Sequence, residues 1–168
     1  MKNSQFRGCS QPIEDVDLDA CEMALTHKLP KEFRQHYLEY NGGIPEENLF
    51  SGTDECEPLE ITGFYPIRHK TSAADTQNSL LIEHYNFMCA KKVVPERMLP
   101  FAYDPGGNFF CLDLHDGSVH FYATDAFDPT LSVEENFVKA RRPLADSFRI
   151  FMNDLKHNSE YDSDEWPE

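Results

Sequence analysis

Two alternating apolar runs separated by an Asp-Gly pair leave a chain few ways to fold, and NFFCLDLHDGSVHFYAT, from Asn108 to Thr124, is such a stretch. Phe110, Leu112 and Leu114 alternate with Phe109, Cys111 and Asp113, and Val119 and Phe121 resume the pattern beyond Asp116-Gly117. Period-two patterning sends successive side chains to opposite faces of a strand, and Asp-Gly accepts the positive φ of a tight hairpin. Just upstream, MLPFAYDPGG reads as another short strand and turn. The expectation is a three-stranded antiparallel meander.

Helical spacing appears on both sides of it. In DLDACEMALT, Leu18, Cys21, Ala24 and Leu25 make one apolar face. Pro30 interrupts that helix and suits the first turn of a second, predicted from Pro30 to Tyr40, with Phe33, Tyr37 and Tyr40, or the neighbouring Leu38, turned inward. Glu32 falls in its first turn, where the helix dipole favours a carboxylate. LEITGFYPIR, Leu59 to Arg68, reads as a strand broken near Gly63 and Pro66. In SLLIEHYNFMCA, Leu81, His84, Tyr85 and Met88 recur at helical spacing, with His84 expected as a core histidine hydrogen-bonded to backbone. Leu144, Phe148, Phe151, Met152 and Leu155 predict one final helix, with Asp146 and Ser147 available to cap it. Helices at both ends of a run of antiparallel strands define an α+β class. At 168 residues one domain is expected, over 13–156, with a flexible N-terminus at 1–12 and an acidic, disordered tail at 157–168 carrying Trp166 as a sticky point.

Charge narrows the partners. Thirty acidic against fifteen basic residues give a formal charge of -15, which opposes binding to nucleic acid or an anionic membrane and favours a basic partner. No window reaches the roughly 20 apolar residues of a membrane span, and the first residues lack the apolar core of a secretion signal. A cytoplasmic location is therefore expected. Cys9, Cys21, Cys56, Cys89 and Cys111 are odd in number and widely spaced, so free thiols, several of them buried, are the expectation.

Catalytic signatures are missing: there is no GxSxG, HExxH, Walker-type loop or GxGxxG. His115 and His120 flank the hairpin turn and, with Cys111 and Asp113, suggest a metal site. They lack the paired, close spacing of strong zinc ligands, so solvated histidines and no metal are expected. Asp104-Pro105-Gly106-Gly107-Asn108 leads into a strand rather than a helix N-terminus, which fits a turn and not a phosphate loop. Asn41-Gly42-Gly43 follows a helix C-terminus, where Asn and Gly close the last turn, so it reads as a stop. From Asn41 to Ile67 there is no Lys or Arg, while Glu46, Glu47, Asp54, Glu55, Glu57 and Glu60 supply carboxylates without calcium-loop spacing. That pattern is either a solvated acidic face or a docking surface for a basic protein.

Three of these stretches share an order that resembles the SUKH superfamily, the Smi/Knr family. LPKEFRQHYLEYNGG is similar to its LPxxYxxFLxxxNGG signature through Leu29, Pro30, Asn41, Gly42 and Gly43. LPFAYDPGGNFFCLDLHDGSVHFY resembles its second motif through Asp104, Gly107, Leu112, Asp113, Gly117 and Val119, with Asp104-Pro105 lengthening the glycine turn. LADSFRIFMNDL resembles its C-terminal helix through Ala145, Asp146, Ser147, Phe148 and Phe151. The resemblance implies an α+β fold with no enzymatic activity and no cofactor. Many bacterial members are immunity proteins that neutralise a polymorphic toxin, frequently a nuclease, delivered by neighbouring cells in contact-dependent competition. Others act in regulation, so a scaffold role in cell-wall or signalling control is the alternative. A nuclease presents a basic surface, and a strongly acidic inhibitor would be steered to it. The residues expected to meet such a toxin are Glu46, Glu47, Asp54, Glu55 and Glu57, with Asp125 and Asp128 as a second group, in a monomer or weak dimer.

Overall fold

The alternation around Asp116-Gly117 becomes the centre of a five-stranded antiparallel sheet in the computed structural model, which describes residues 4–52, 57–69 and 80–158. Elements run in chain order as β1 (Phe6–Arg7), α1 (Asp15–Leu25), α2 (Lys31–Glu39), β2 (Ile44–Pro45), β3 (Leu49–Phe50), β4 (Leu59–Glu60), β5 (Gly63–Phe64) and α3 (Leu81–Ala90). They continue with β6 (Met98–Tyr103), β7 (Phe109–Asp113), β8 (Val119–Tyr122), α4 (Val133–Ala140), β9 (Arg141–Ala145), α5 (Phe148–Asn153) and β10 (Leu155–Lys156). The mixed class is α+β, and every strand pairing among the described residues is antiparallel.

The main sheet has the order β5-β6-β7-β8-β9. Its expected meander is β6-β7-β8, with Cys111 opposite His120 and Leu112 opposite Val119. Every residue of β7 is buried, so the strand is covered on both faces. Phe110 and Leu112 join a core with Leu18, Phe33, Tyr37, Phe101, Phe148 and Phe151, drawn largely from α1, α2 and α5. Phe109, Cys111 and Tyr122 join Val94, Met98 and Ala140 in a second core. Two small sheets complete the fold: β1 with β2, and β10-β3-β4. The segment ahead of residue 13 thus contributes a strand, and Phe6 packs its ring against His36, Tyr40 and Phe64. The tail beyond 158, with Trp166, lies outside the described residues.

Two local expectations change, and one helix is added. The last apolar stripe is not one helix: Leu144 belongs to β9, Leu155 pairs with Phe50 through β10, and only Phe148–Asn153 is helical. Ser147 does cap it, its Oγ accepting from the Ile150 amide at 3.2 Å. The segment from Asp125 to Pro143 contains a helix, α4, opened by a reciprocal capping box between Ser132 and Glu135.

The Asn41-Gly42-Gly43 run does not close α2. The cap residue Tyr40 is extended, and Asn41 is buried, its side-chain amide donating to the carbonyls of Gln11 and Arg68 while its Oδ1 accepts from the Ile67 amide. Asn41 therefore ties three chain segments together in a place water does not reach. Both glycines have positive φ, and both sit where backbones cross closely, Gly42 beside Phe64 and Pro66, Gly43 beside Arg7 and Cys9.

His36, on α2, is buried among Phe6, Tyr37, Tyr40, Phe64 and Phe148, and its Nε2 has no hydrogen-bond partner among the described residues. Burial drives its pKa from 6.5 down to about 3. The unfolded chain takes up a proton that the folded chain refuses, so this stability is complete above pH 6.5 and is lost as pH falls towards 3. Between pH 7 and pH 5 the His36 contribution is expected to fall by about 2 kcal/mol. In urea titrations at the two pH values, His36→Leu should show a correspondingly flatter pH dependence than the parent; equal slopes would refute the assignment.

Candidate partner-binding surfaces

One part of each sequence motif meets at one end of the main sheet, while Asn41-Gly42-Gly43 and Asp104 to Gly107 lie elsewhere. Leu29 and Pro30 open α2, Asp113 and Gly117 frame the β7-β8 turn, and Ser147 and Phe148 open α5; together they line a cleft of about 410 Å³. Asp113 is buried and accepts from Arg97 and from the His115 amide, which fixes the turn. Gly117 has φ +77°, as a tight turn requires, and a Cβ there would reach Pro30 Cγ at 3.4 Å. The hydrogen bonds and packing of this end are taken up by holding α2, the hairpin and α5 together.

The two hairpin histidines are not brought together. His115 stacks on His27 of the α1-α2 connection, with ring centroids 5.3 Å apart, while His120 is buried opposite Cys111 with its Nε2 2.8 Å from Ser118 Oγ. Among the described residues no three His, Cys, Asp or Glu side chains are grouped to hold a metal. His84 is buried as expected and stacks on Tyr65 at 4.2 Å. Cys21 and Cys111 are buried thiols, and desolvation pushes the pKa of Cys21 up to about 11, which suits packing rather than nucleophilic chemistry.

Glu46 is exposed and, with Glu60, Arg7 and His157, lines a second cleft of about 480 Å³. Glu47 is half-buried and faces His157 Nε2 at 4.0 Å. Glu57 is exposed, whereas Asp54 and Glu55 lie outside the described residues. Of the second group, Asp125 is exposed on the short turn Thr124–Ala126. Asp128 is committed to its own loop: it accepts from the Thr130 amide and hydroxyl and stands 3.7 Å from Lys139 Nζ. Thr130 hydrogen bonds, first, and the Lys139 charge hold its carboxyl below the usual range. The register relates two of these positions. Asn108 accepts from the Thr124 amide and is itself held by Asp104, while the Thr62 amide donates to Tyr103, so Glu60, Asp104 and Asp125 come to the same end of the sheet, opposite the motif cleft.

A third acidic surface lies on α1 and was passed over in the sequence. Arg34 reaches from α2 to Asp15 at 2.9 Å, Asp19 at 3.0 Å and Glu22 at 3.2 Å, and Lys28 meets Glu22 at 2.7 Å. Burial raises the pKa of Glu22, but bonds from Lys28, the Leu29 amide and Arg34 outweigh it and hold the carboxyl below its usual range. The signal available beforehand was the acidic residue at nearly every second position from Glu14 to Asp19.

The family model described as SMI1 / KNR4 family (SUKH-1) matches residues 12–154. The chain belongs to that family. Comparison with the curated proteins returns no match. No helix among the described residues is long and apolar enough to cross a membrane.

Proposed function

We propose that this chain is a non-enzymatic binding protein of the immunity type, which neutralises a basic, nuclease-like toxin in the cytoplasm through its acidic surface. The observation that carries this reading is how the charges are distributed. Arg34, Lys28, Arg68, Arg97, Lys139 and Arg149 are engaged in ion pairs within the chain, while the Asn41 to Ile67 stretch has no cation of its own and leaves Glu46 and Glu57 in solvent. Exposed carboxylates around a cleft raise the encounter rate with a cationic partner and make its binding salt-dependent. Asp125 extends that field at the same end of the sheet; Asp54 and Glu55 belong to the same proposed group by sequence.

The test is a toxin captured from the native source at low salt, then titrated against the parent and against Glu46→Lys, Glu57→Lys and Asp125→Lys combined. The triple variant is expected to bind at least tenfold more weakly, with a flatter salt dependence. Unchanged affinity and unchanged salt slope would remove these residues from the interface.

A further inference from the structure

Charge steers, but affinity at protein interfaces is concentrated in apolar anchors surrounded by polar rims. The acidic cleft at Glu46 offers none: the exposed large hydrophobic residues among those described are Val16, Met23, Val138 and Ile150. Two of the four lie on α1, at 64% and 79% exposure. Val16, Ala20 and Met23 fall at i, i+4 and i+7, so they form one outward stripe, on the side away from the buried Leu18, Cys21 and Leu25.

Each flank of that stripe is hollow. On one side a depression of about 420 Å³ is lined by Asp19, Glu22, Met23 and Lys28. On the other, one of about 320 Å³ is lined by Asp17, Ala20, Ala24 and Ile82 with Arg68 at its edge. A ridge between two grooves is a shape that the side chains of a packed helix fit, because ridges of one helix enter the grooves beside another. The 11 residues of α1 give about 16 Å of such contact.

Charge selects the occupant. Glu14, Asp15, Asp17, Asp19 and Glu22 present five carboxylates, answered among the described residues by the three cations Arg34, Lys28 and Arg68. Asp15 and Asp19 pair with Arg34 yet keep 73% and 62% of their side chains exposed, open to further donors. A second copy would bring the same carboxylates face to face, and an anionic lipid surface would repel them.

We infer that the outer face of α1 is the apolar anchor of the partner interface and receives a basic amphipathic helix, whose apolar residues cover Val16, Ala20 and Met23 and whose Lys or Arg residues meet Asp15 and Asp19. This rests on the reading of the chain as a binder of a basic protein, and adds the element that holds the partner once charge has delivered it.

The probe is a synthetic helix of about 18 residues, leucine and arginine in amphipathic order, with a scrambled peptide of the same composition as control. Both are titrated into the full-length protein at moderate salt and followed by amide chemical shifts and fluorescence anisotropy. Shifts centred on residues 15–28, with binding at least tenfold weaker for the scrambled peptide and for Val16→Lys with Met23→Lys, are the expected result. Both positions are exposed, so circular dichroism and the unfolding midpoint of the double variant should match the parent. Equal affinity for the two peptides, no binding, or shifts centred on the Glu46 cleft would overturn the assignment. So would concentration-dependent dimerisation lost in the double variant, because the occupant would then be a second copy. A toxin that binds parent and double variant equally yet loses affinity on charge reversal at Glu46, Glu57 and Asp125 would remove α1 while sparing the proposed function.

Discussion

Gly43→Ala is expected to destabilise the protein by about 3 kcal/mol or more, whereas Gly107→Ala should cost only about 1 to 2 kcal/mol. Both residues have positive φ, +95° and +79°, so both substitutions force a Cβ into a conformation that L-residues avoid. They differ in surroundings. A Cβ on Gly43 would stand 2.8 Å from the Arg7 carbonyl oxygen and 2.8 Å from Cys9 Sγ, while one on Gly107 would meet nothing within 4 Å. The Gly43 carbonyl also accepts from the Phe64 amide at 2.8 Å, so the backbone is held from two sides and has little room to yield. Urea unfolding of both variants isolates the steric part by difference. Equal losses would show that the β1 segment moves aside without cost.

Phe148→Ala should be the most damaging of the side-chain truncations at the motif cleft, at about 3 to 5 kcal/mol. Phe148 is 1% exposed, and its ring contacts Phe33 at 5.0 Å, Phe101 at 5.6 Å and His36 at 5.5 Å. It is the first residue of a six-residue helix, too short to persist without packing, so the ring fastens α5 onto α2 and the sheet. Ser147→Ala, which removes only the cap, is expected to cost about 1 kcal/mol. Chemical denaturation with an unchanged m-value would confirm the ordering; a Phe148→Ala loss no larger than that of Ser147→Ala would mean that the cavity collapses freely.

The hairpin was legible because its signal is local: the alternation marks both strands and Gly117 takes the positive φ of the turn, although Leu114 and His115 join that turn instead of extending β7. Its double-sided burial was not, since apolar residues at both parities of β7 describe either a buried strand or a buried helix until neighbours are known. The stripe from Leu144 to Leu155 misled for a related reason. Helical spacing over a dozen residues is also met by strand, helix and strand in succession, and the pairing of Leu155 with Phe50 is a non-local fact. The α4 helix did carry a readable start, Ser132 three residues before Glu135. Asn41-Gly42-Gly43 looks like a helix stop within its own window, and what makes glycine necessary there comes from Arg7, Cys9, Phe64 and Pro66, remote in sequence. Among the acidic candidates, Asp128 had a local warning in Thr130, two residues on, because such pairs close a turn on themselves. Glu46 and Asp125 sit in solvent, where a bare count of carboxylates would place them.

The borders of the main sheet carry a consequence for assembly. One border is β5, only two residues long; the other is β9, whose Arg141-Arg142-Pro143 run sets two cations and an imide nitrogen without a hydrogen along the outermost strand. Short, charged and proline-bearing margins are poor templates for a further strand. Among the described residues, the margins of the main sheet thus work against the lateral strand addition that threatens open antiparallel sheets.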